Sequence, residues 1–555
     1  MKEVPRPARG TAPLPLLDRA IAAVSPVWAA KRAVARFQIA RAGAMTAMAS
    51  GYDAAGDVRA ALRGWRARTR TTADQDSLPQ LEDLRARARE LHMNEPLARG
   101  AVQTVATNVV GTGLTLTAQA NRDVLAKAGI TAEMVTVAER DMESEWGLFT
   151  SGFTADAKLR LTWAQMQELA MTAPLVSGDA FVAVVASPSP VHFDLALQLI
   201  DADAVCNPNR MPNSDTMADG IEYDAGQVWQ AVHVAEMSRT GRHVVRNWRR
   251  LPVRAEDGSP RVMHLMRPDR TDQSRGVPYL APVMAALREL GTYREAELRA
   301  AVMNACVAIV GATPEGTSPL AGAAGAAAAG APAGNAKGLA VADIEFRPGM
   351  TIEGFMPGEK IEAFSSDRPS TGFDPFVVAI LRQIGVGLEL PFEVLIKHFT
   401  ASYSAARAAL LEAWKFYRGR RVWLAEALHQ PVYGLVMENA VRRGRLALPG
   451  FLDDPMLRAA WLEAAWTGPS PGQINPEVEA KAARERIGLR VSTRTRETAE
   501  LTGEHWETTA RKLAKEDALM RQLGLHAEPD GSGPPVDPVP PQDRPQQQDM
   551  PEEAT

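Results

Sequence analysis

A chain of 555 residues, 46% hydrophobic and 23% charged, is too long for one core and reads as two to four packed domains. Its formal net charge of −4 excludes a free-standing nucleic-acid binder of the strongly basic kind, so any DNA contact must be local or weak. With only Cys206 and Cys306, a disulfide framework is excluded and a reducing compartment fits; both cysteines read as small core residues.

The hydrophobic patch at Leu14–Leu17 is interrupted by Asp18 and Arg19, so no signal peptide is expected. Residues 1–70 hold thirteen Lys/Arg against four acids, a basic arm. From Leu78 to Val110, Leu81, Leu84, Ala88 and Leu91, then Ala101, Val105 and Val109, recur at helical spacing, with Asn94–Pro96 parting two helices and Gly111 and Gly113 ending the second. From Thr172 the pattern turns to short strands: Phe181–Val185, Leu195–Ile200, Ile221–Tyr223, Val228–Val234 and Val244–Trp248, with turns at Asp219-Gly220 and Asp224–Gly226.

Val262, His264 and Met266 alternate as a strand would, and a polar knot follows: Arg267, Asp269, Arg270, Asp272 and Arg275, then Gly276, which frees the backbone. Pro278 and Pro282 suit the first turn of a helix over Tyr279–Val310, whose stripe is Leu280, Val283, Leu287, Leu290, Leu298, Val302 and Ile309. Thirty-two residues make a rod about 48 Å long, with Glu295 placed to pair Arg299. Within the weakly polar run Ala300–Ala342, too little hydrophobic for a membrane span, Ala321–Gly334 reads as a mobile Gly/Ala loop. Short strands and turns follow over Arg347–Pro369, then a helix over Phe373–Leu388.

Residues 404–444 read as helical, with Leu410, Leu411, Trp414, Tyr417, Trp423, Leu424 and Leu428 as core candidates and a break at Pro431. Met456–Trp466 and Pro476–Ile487 read as further helices. Residues 526–555, with eight prolines and seven acids against one arginine, cannot fold alone.

Motifs for catalysis are few. No G-x-x-x-x-G-K-[ST] loop, H-E-x-x-H helix or C-x-x-C pair occurs, so no cofactor and no metal site is expected. GPSPG at 468–472 fits the nucleophile pattern G-x-S-x-G, but Pro469 and Pro471 flank Ser470 and no strand is expected before it, so it reads as a turn. His233, His243 and His264 lack ligand spacing and read as structural. The knot admits an acid/base site on Asp269 and Asp272. The preferred reading is arginine forks that bond carboxylates and backbone oxygens, fixing a strand-to-helix corner or locking one subunit to the next.

The segment LRARARELHMNEPLARGAVQTVATNVVGTGLTL from Leu84, then WGLFTSGFTAD, VSGDAFVAV, LQLIDADAV, DGIEYDAGQVWQAVHV, RGVP at 275–278, PGEKIEAFSSDRPSTGFDPF, ASYSAARAALLEA at 401–413 and WLEAAWTGPSPGQINPEVEA at 461–480 stand in collinear order. Over about residues 84–490 the chain thereby resembles the lambda-family bacteriophage portal proteins. The resemblance implies an α+β portal fold: a basic arm at 1–77, a wing of helices then β meander at 78–275, a first stem helix at 276–310, a clip at 311–372 holding the Gly/Ala loop, a second stem helix and tunnel loop at 373–403, a helical wing and crown region at 404–525, and a disordered acidic tail at 526–555. It implies a structural protein rather than an enzyme: a dodecameric ring at one capsid vertex, the channel for double-stranded DNA during packaging and ejection. The implied partners are further copies of the chain, non-specific DNA, the terminase large subunit as separate motor, the head-tail connector, and the major capsid and scaffold proteins. The location would be the virion, and the bacterial host cytoplasm during assembly.

Glu389–Ser402 then corresponds to the tunnel loop, with Lys397 and His398 as its cationic groups, able to touch phosphates without reading bases. An exposed loop with an incidental lysine is the plainer alternative. Ser404 would cap the helix it opens and Arg407 would anchor that helix to a neighbour. Competing readings are a metal-dependent DNA-processing enzyme of a mobile element using the carboxylates of 267–275, and another virion structural component without a channel.

Overall fold

Thr72 opens the first helix, α1 (Ala73–Asn94), because its hydroxyl accepts from the Gln75 N–H while the Gln75 side chain accepts from the Thr72 N–H. This is seen in a computed structural model that describes residues 69–189, 192–237, 245–305, 309–312, 360–363, 373–399, 402–471, 476–503 and 506–525. The chain divides after Thr71, and the architecture below belongs to the unit that follows. The basic arm, the Gly/Ala loop, most of the expected clip, His243, Cys306 and the acidic tail lie outside the described residues.

Glu95 is held extended by the proline after it, and α2 (Pro96–Val109) starts with that proline in its first turn. Ala101, Val105 and Val109 are fully buried, as their spacing predicts. Gly111 and Gly113 then turn the chain at φ 58° and 114°. There follow β1 (Thr115–Ala118), α3 (Arg122–Lys127), α4 (Ala132–Thr150) and α5 (Trp163–Ser177), so the strand region begins only at Asp179, later than Thr172.

The strands form two antiparallel sheets. β2 (Asp179–Ala186), β3 (Leu195–Ile200) and β8 (Val262–Met266) make the first, with β2 in the centre and Phe181 between Ile200 and His264. β4 (Met217–Ala218), β5 (Ile221–Tyr223), β6 (Trp229–Met237) and β7 (Val245–Pro252) make the second, a sequential meander. Successive β2 residues face opposite sides. Val182 joins the large core with α1, α2, α4 and α5, whereas Phe181 and Ala183 join a smaller core with Ile221, Val232 and Val234 of the meander. β2 is therefore enclosed on both faces, which explains its unbroken apolar run.

After β8 the chain makes one excursion. A 3-10 turn at Ala281–Val283 leads into α6 (Met284–Ala305), β9 (Ile309–Ala312) pairs antiparallel with β10 (Lys360–Ala363), and α7 (Phe373–Gly387) returns. α6 and α7 lie antiparallel: Gly387 is against Val283 at one end, and Tyr293 stacks on Phe373 and meets Phe376 edge-on further out. The expected single helix over Tyr279–Val310 is thus corrected at both ends. Pro282 disfavours helical geometry at Ala281 and has no N–H to give, so the first turn is 3-10, and the β-branched Ile309 and Val310 enter a strand. Twenty-two residues give a rod of about 33 Å.

α8 (Phe392–Ile396) sits inside the expected tunnel loop and packs on α2. α9 (Tyr403–Leu424) runs through a π turn at Ala425–His429 into α10 (Gln430–Arg442). Pro431 does not break the rod as expected: the wider turn, in which the Gln430 N–H reaches Ala425 O, accommodates the missing donor and the ring. Ser404 is not the cap either, since Ser402 occupies that position and makes no side-chain capping bond. Of the core candidates, Tyr417, Leu424 and Leu428 are buried, Leu410, Trp414 and Trp423 pack against the core, and Leu411 is exposed. Met456–Trp466 proves to be a helix, α11 (Pro455–Trp461), followed by a strand, β11 (Ala464–Thr467), that pairs with β1. A strand therefore does precede GPSPG. Three helices close the described chain: α12 (Pro476–Gly488), α13 (Arg494–Thr502) and α14 (Trp506–Gln522).

Candidate functional site

Gly178 ends α5 at φ 89°, and Asp179, fully buried, starts the central strand. A carboxylate there must be paired or it would not stay charged. Its Oδ2 accepts from Arg275 Nε (2.7 Å), His264 Nε2 (3.1 Å) and the Gly276 N–H (3.1 Å); its Oδ1 accepts from Arg85 Nη2 (3.0 Å) and Arg275 Nη2 (3.2 Å). Burial alone would raise its pKa, but Arg275, the His264 hydrogen bond and Arg85 hold it far below the usual carboxylate range.

Arg275 is equally enclosed and uses its remaining donors on Val205 O (2.8 Å), Ala202 O (2.8 Å), and the backbone oxygen (2.6 Å) and Oδ2 (2.8 Å) of Asp219. Arg85, from α1, also donates to Ser177 O (2.9 Å). Two arginines thus face two aspartates, so the cluster is neutral although its members are charged. His264 stacks on Phe181 with ring centroids 4.2 Å apart, and the Arg275 guanidinium lies 5.2 Å from the same ring. Burial pushes the His264 pKa down despite Asp179, so the imidazole is neutral and its Nε2–H donates.

Two glycines let these elements meet. A Cβ on Gly276 would lie 2.0 Å from Gly178 O, and one on Gly178 would lie 2.2 Å from Gly276 O. Gly276 is needed for this backbone-on-backbone approach, not for the freedom of φ expected from sequence. Beside it, Asp74 of α1 accepts from the Ser274 N–H (2.8 Å) and hydroxyl (2.5 Å), and Tyr223 O–H donates to Ser274 Oγ (2.8 Å). One cluster therefore joins α1, both sheets and the chain entering α6.

The polar knot divides accordingly. Arg275 is at the centre, whereas Arg267, Asp269, Arg270 and Asp272 are exposed; Arg270 pairs with Asp76 at 2.6 Å and Asp272 turns the chain at φ 58°. Arg407 lies 3.4 Å from Glu479, joining α9 to α12 within the chain. Sequence reasoning missed Arg85, Asp179 and Asp219; the legible signal was a carboxylate heading the apolar strand DAFVAVVA.

The second place of interest is the link from α7 to α9. Glu389 and Lys397 adopt φ 53° and 55°, bracketing α8, whose Val394 and Leu395 are buried. Tyr279 O–H donates to Leu388 O and fixes the link to the start of the excursion. Lys397, His398 and Phe399 stand exposed beyond α8. Among the described residues no group of three His, Cys, Asp or Glu side chains is gathered that could hold a metal.

Among the described residues, then, the predicted site resolves into a buried charge joint and an exposed cationic link. Residues 59–421 match the family described as phage portal protein, lambda family, and the chain belongs to that family. It is 26% identical over 489 residues to the portal protein of Escherichia phage N15, covering 84% of this chain and 89% of that one. It is 24% identical over 486 residues to portal protein B of Escherichia phage lambda, covering 84% and 88%. Among solved structures it is similar to chains of the neck of an empty gene transfer agent (GTA) particle computed with C6 symmetry (TM-score 0.39, 15% identity, 75% and 93% covered) and of a native GTA virion (TM-score 0.39, 15%, 83% and 99%). The chain is a phage portal protein, and the enzyme alternative falls with that membership.

Proposed function

We propose that this portal protein assembles as a dodecameric ring at one capsid vertex and passes double-stranded DNA during packaging and ejection. The observation that carries the reading is the single excursion α6–β9–β10–α7, with an exposed cationic link at its return. In it α6 and α7 are the stem, the segment between them is the clip that terminase and the head-tail connector grip, and 389–402 is the tunnel loop. The wing is residues 78–275 and the crown lies within 404–525. Leu298 and Phe376 are 66% and 52% exposed along the rods, which suits contact with neighbouring subunits. In a closed ring those contacts are heterologous, two different faces per chain.

Lys397 and His398 touch phosphates weakly and without sequence preference, as a moving duplex requires. The charge joint fixes the angle at which the stem leaves the wing. The ring also meets capsid and scaffold proteins, in the virion and, during assembly, in the host cytoplasm; among the described residues no helix is long and apolar enough to cross a membrane. Light scattering on the purified chain should give about 720 kDa for twelve subunits of 59.9 kDa, and electron microscopy an axial hole wide enough for B-form DNA. A small compact particle at assembly concentrations overturns the reading.

A further inference from the structure

An open groove of about 680 Å³ runs between α9, α13 and the turn after β11. Trp414 and Trp466 line it, together with Arg418, Arg421 and Arg496. Arg421 donates to Asn108 O (3.0 Å), Val109 O (3.1 Å) and Pro469 O (2.8 Å), so its charge is set at the carbonyl end of α2 with no carboxylate bound to it among the described residues. Glu500 is shared by Arg418 (3.7 Å) and Arg496 (3.1 Å). Glu426 and Glu463 also line the groove, but neither pairs with these arginines among the described residues. The lining thus holds three arginines and three glutamates, and the cationic end is Arg421, beside Pro469, which among the described residues binds carbonyls and no carboxylate. Aromatic walls with such a cationic end are what a proline-rich, acidic strand needs.

The chain contains such a strand. In PPVDPVPPQDRP, residues 534–545, the prolines at 535, 538 and 541 recur every third position, the period of a polyproline II helix, and so share one edge. Asp537 and Asp543 fall together on the next edge. Trp506, which opens α14, packs on Arg494, two residues from Arg496 of the groove. α14 carries the chain about 25 Å away. The ten residues from Leu525 to Pro535 can return about 31 Å in extended form.

We propose that segment 534–545 of this chain docks in its own groove as a polyproline II helix, with the Pro535, Pro538 and Pro541 edge on Trp414 and Trp466 and the Asp537 and Asp543 edge toward Arg418 and Arg496. The test titrates a fluorescein-labelled peptide of residues 528–545 against full-length chains and reads anisotropy. A variant with Pro535, Pro538 and Pro541 all changed to Ala releases its own tail, so it should take up the peptide roughly tenfold more tightly than the unaltered chain, whose groove is filled. Adding Arg418→Glu and Arg496→Glu, both at exposed positions paired with Glu500, should weaken that uptake by roughly tenfold, with melting read on the same samples so that loss of the Glu500 pairs is seen separately. Failure of the peptide to bind the proline variant, or equal binding after charge reversal, overturns the proposal. So does peptide uptake by the unaltered chain that rises on dilution, because the occupant would then belong to another copy.

Discussion

Two sets of cations in this chain stand in opposite surroundings: water reaches one and not the other. Arg85 and Arg275 are enclosed with Asp179, and every donor of Arg275 has an acceptor. Lys397 and His398 stand in solvent at the end of a short helix. A buried guanidinium is tied to one geometry by the desolvation cost of leaving its partners, so it can hold a corner. An exposed lysine is screened within about 10 Å at ordinary salt and can meet and leave a passing phosphate.

The sharpest way to break this comparison is Asp179→Ala. It leaves two buried guanidiniums short of their main anion and should cost about 3–5 kcal/mol, read by denaturant unfolding. A loss no larger than that of a surface substitution would show that the joint is hydrated. Next in size is the effect of acid on enclosed rings. His429 is buried against Trp163 and Trp466, and burial pushes its pKa down to about 4. Between pH 6.5 and 4 the unfolded chain binds a proton there that the folded chain does not, so stability falls with pH, by up to about 3 kcal/mol. The slope should flatten in His429→Gln. His264 works in the same direction, whereas Asp179, depressed in the folded state, keeps its contribution until the pH drops below about 4.

Gly276→Ala should follow, at about 1–3 kcal/mol, since its Cβ would meet a backbone oxygen that cannot rotate away. Recovery of stability in a Gly276→Ala variant would mean that the two backbones separate cheaply. Smallest in stability is Lys397→Glu, within about 0.5 kcal/mol. Its effect belongs to DNA: duplex binding at low salt and the length of DNA packaged should both drop. Unchanged packaging would leave Lys397 an incidental surface charge.

Much of the helical frame was legible because its signals are local. Apolar spacing marked Leu81, Ala88, Val105 and Val109, and Asn94–Pro96 marked the gap between α1 and α2. The meander was legible from β-branched runs and Asp-Gly turns. Errors fell where distant partners outvote local preference. Ala464–Thr467 is a strand because β1, some 350 residues earlier, offers a free edge. Pro431 is tolerated because a π turn precedes it.

What the sequence determined by itself was the first helix pair, the strands from Phe181 to Trp248, the family resemblance and the importance of the RGVP junction, since periodicity, turn residues and collinear motifs need no knowledge of contacts. Only the tertiary structure decided which members of the 267–275 knot matter. Five charged residues of similar appearance occupy that stretch, and one of them, Arg275, is drawn inside. The choice depends on Asp179, 96 residues away, and on whether two glycines let their backbones touch. Burial and pairing are properties of the assembled fold, and they turn one arginine into a fixed joint while leaving its neighbours in water.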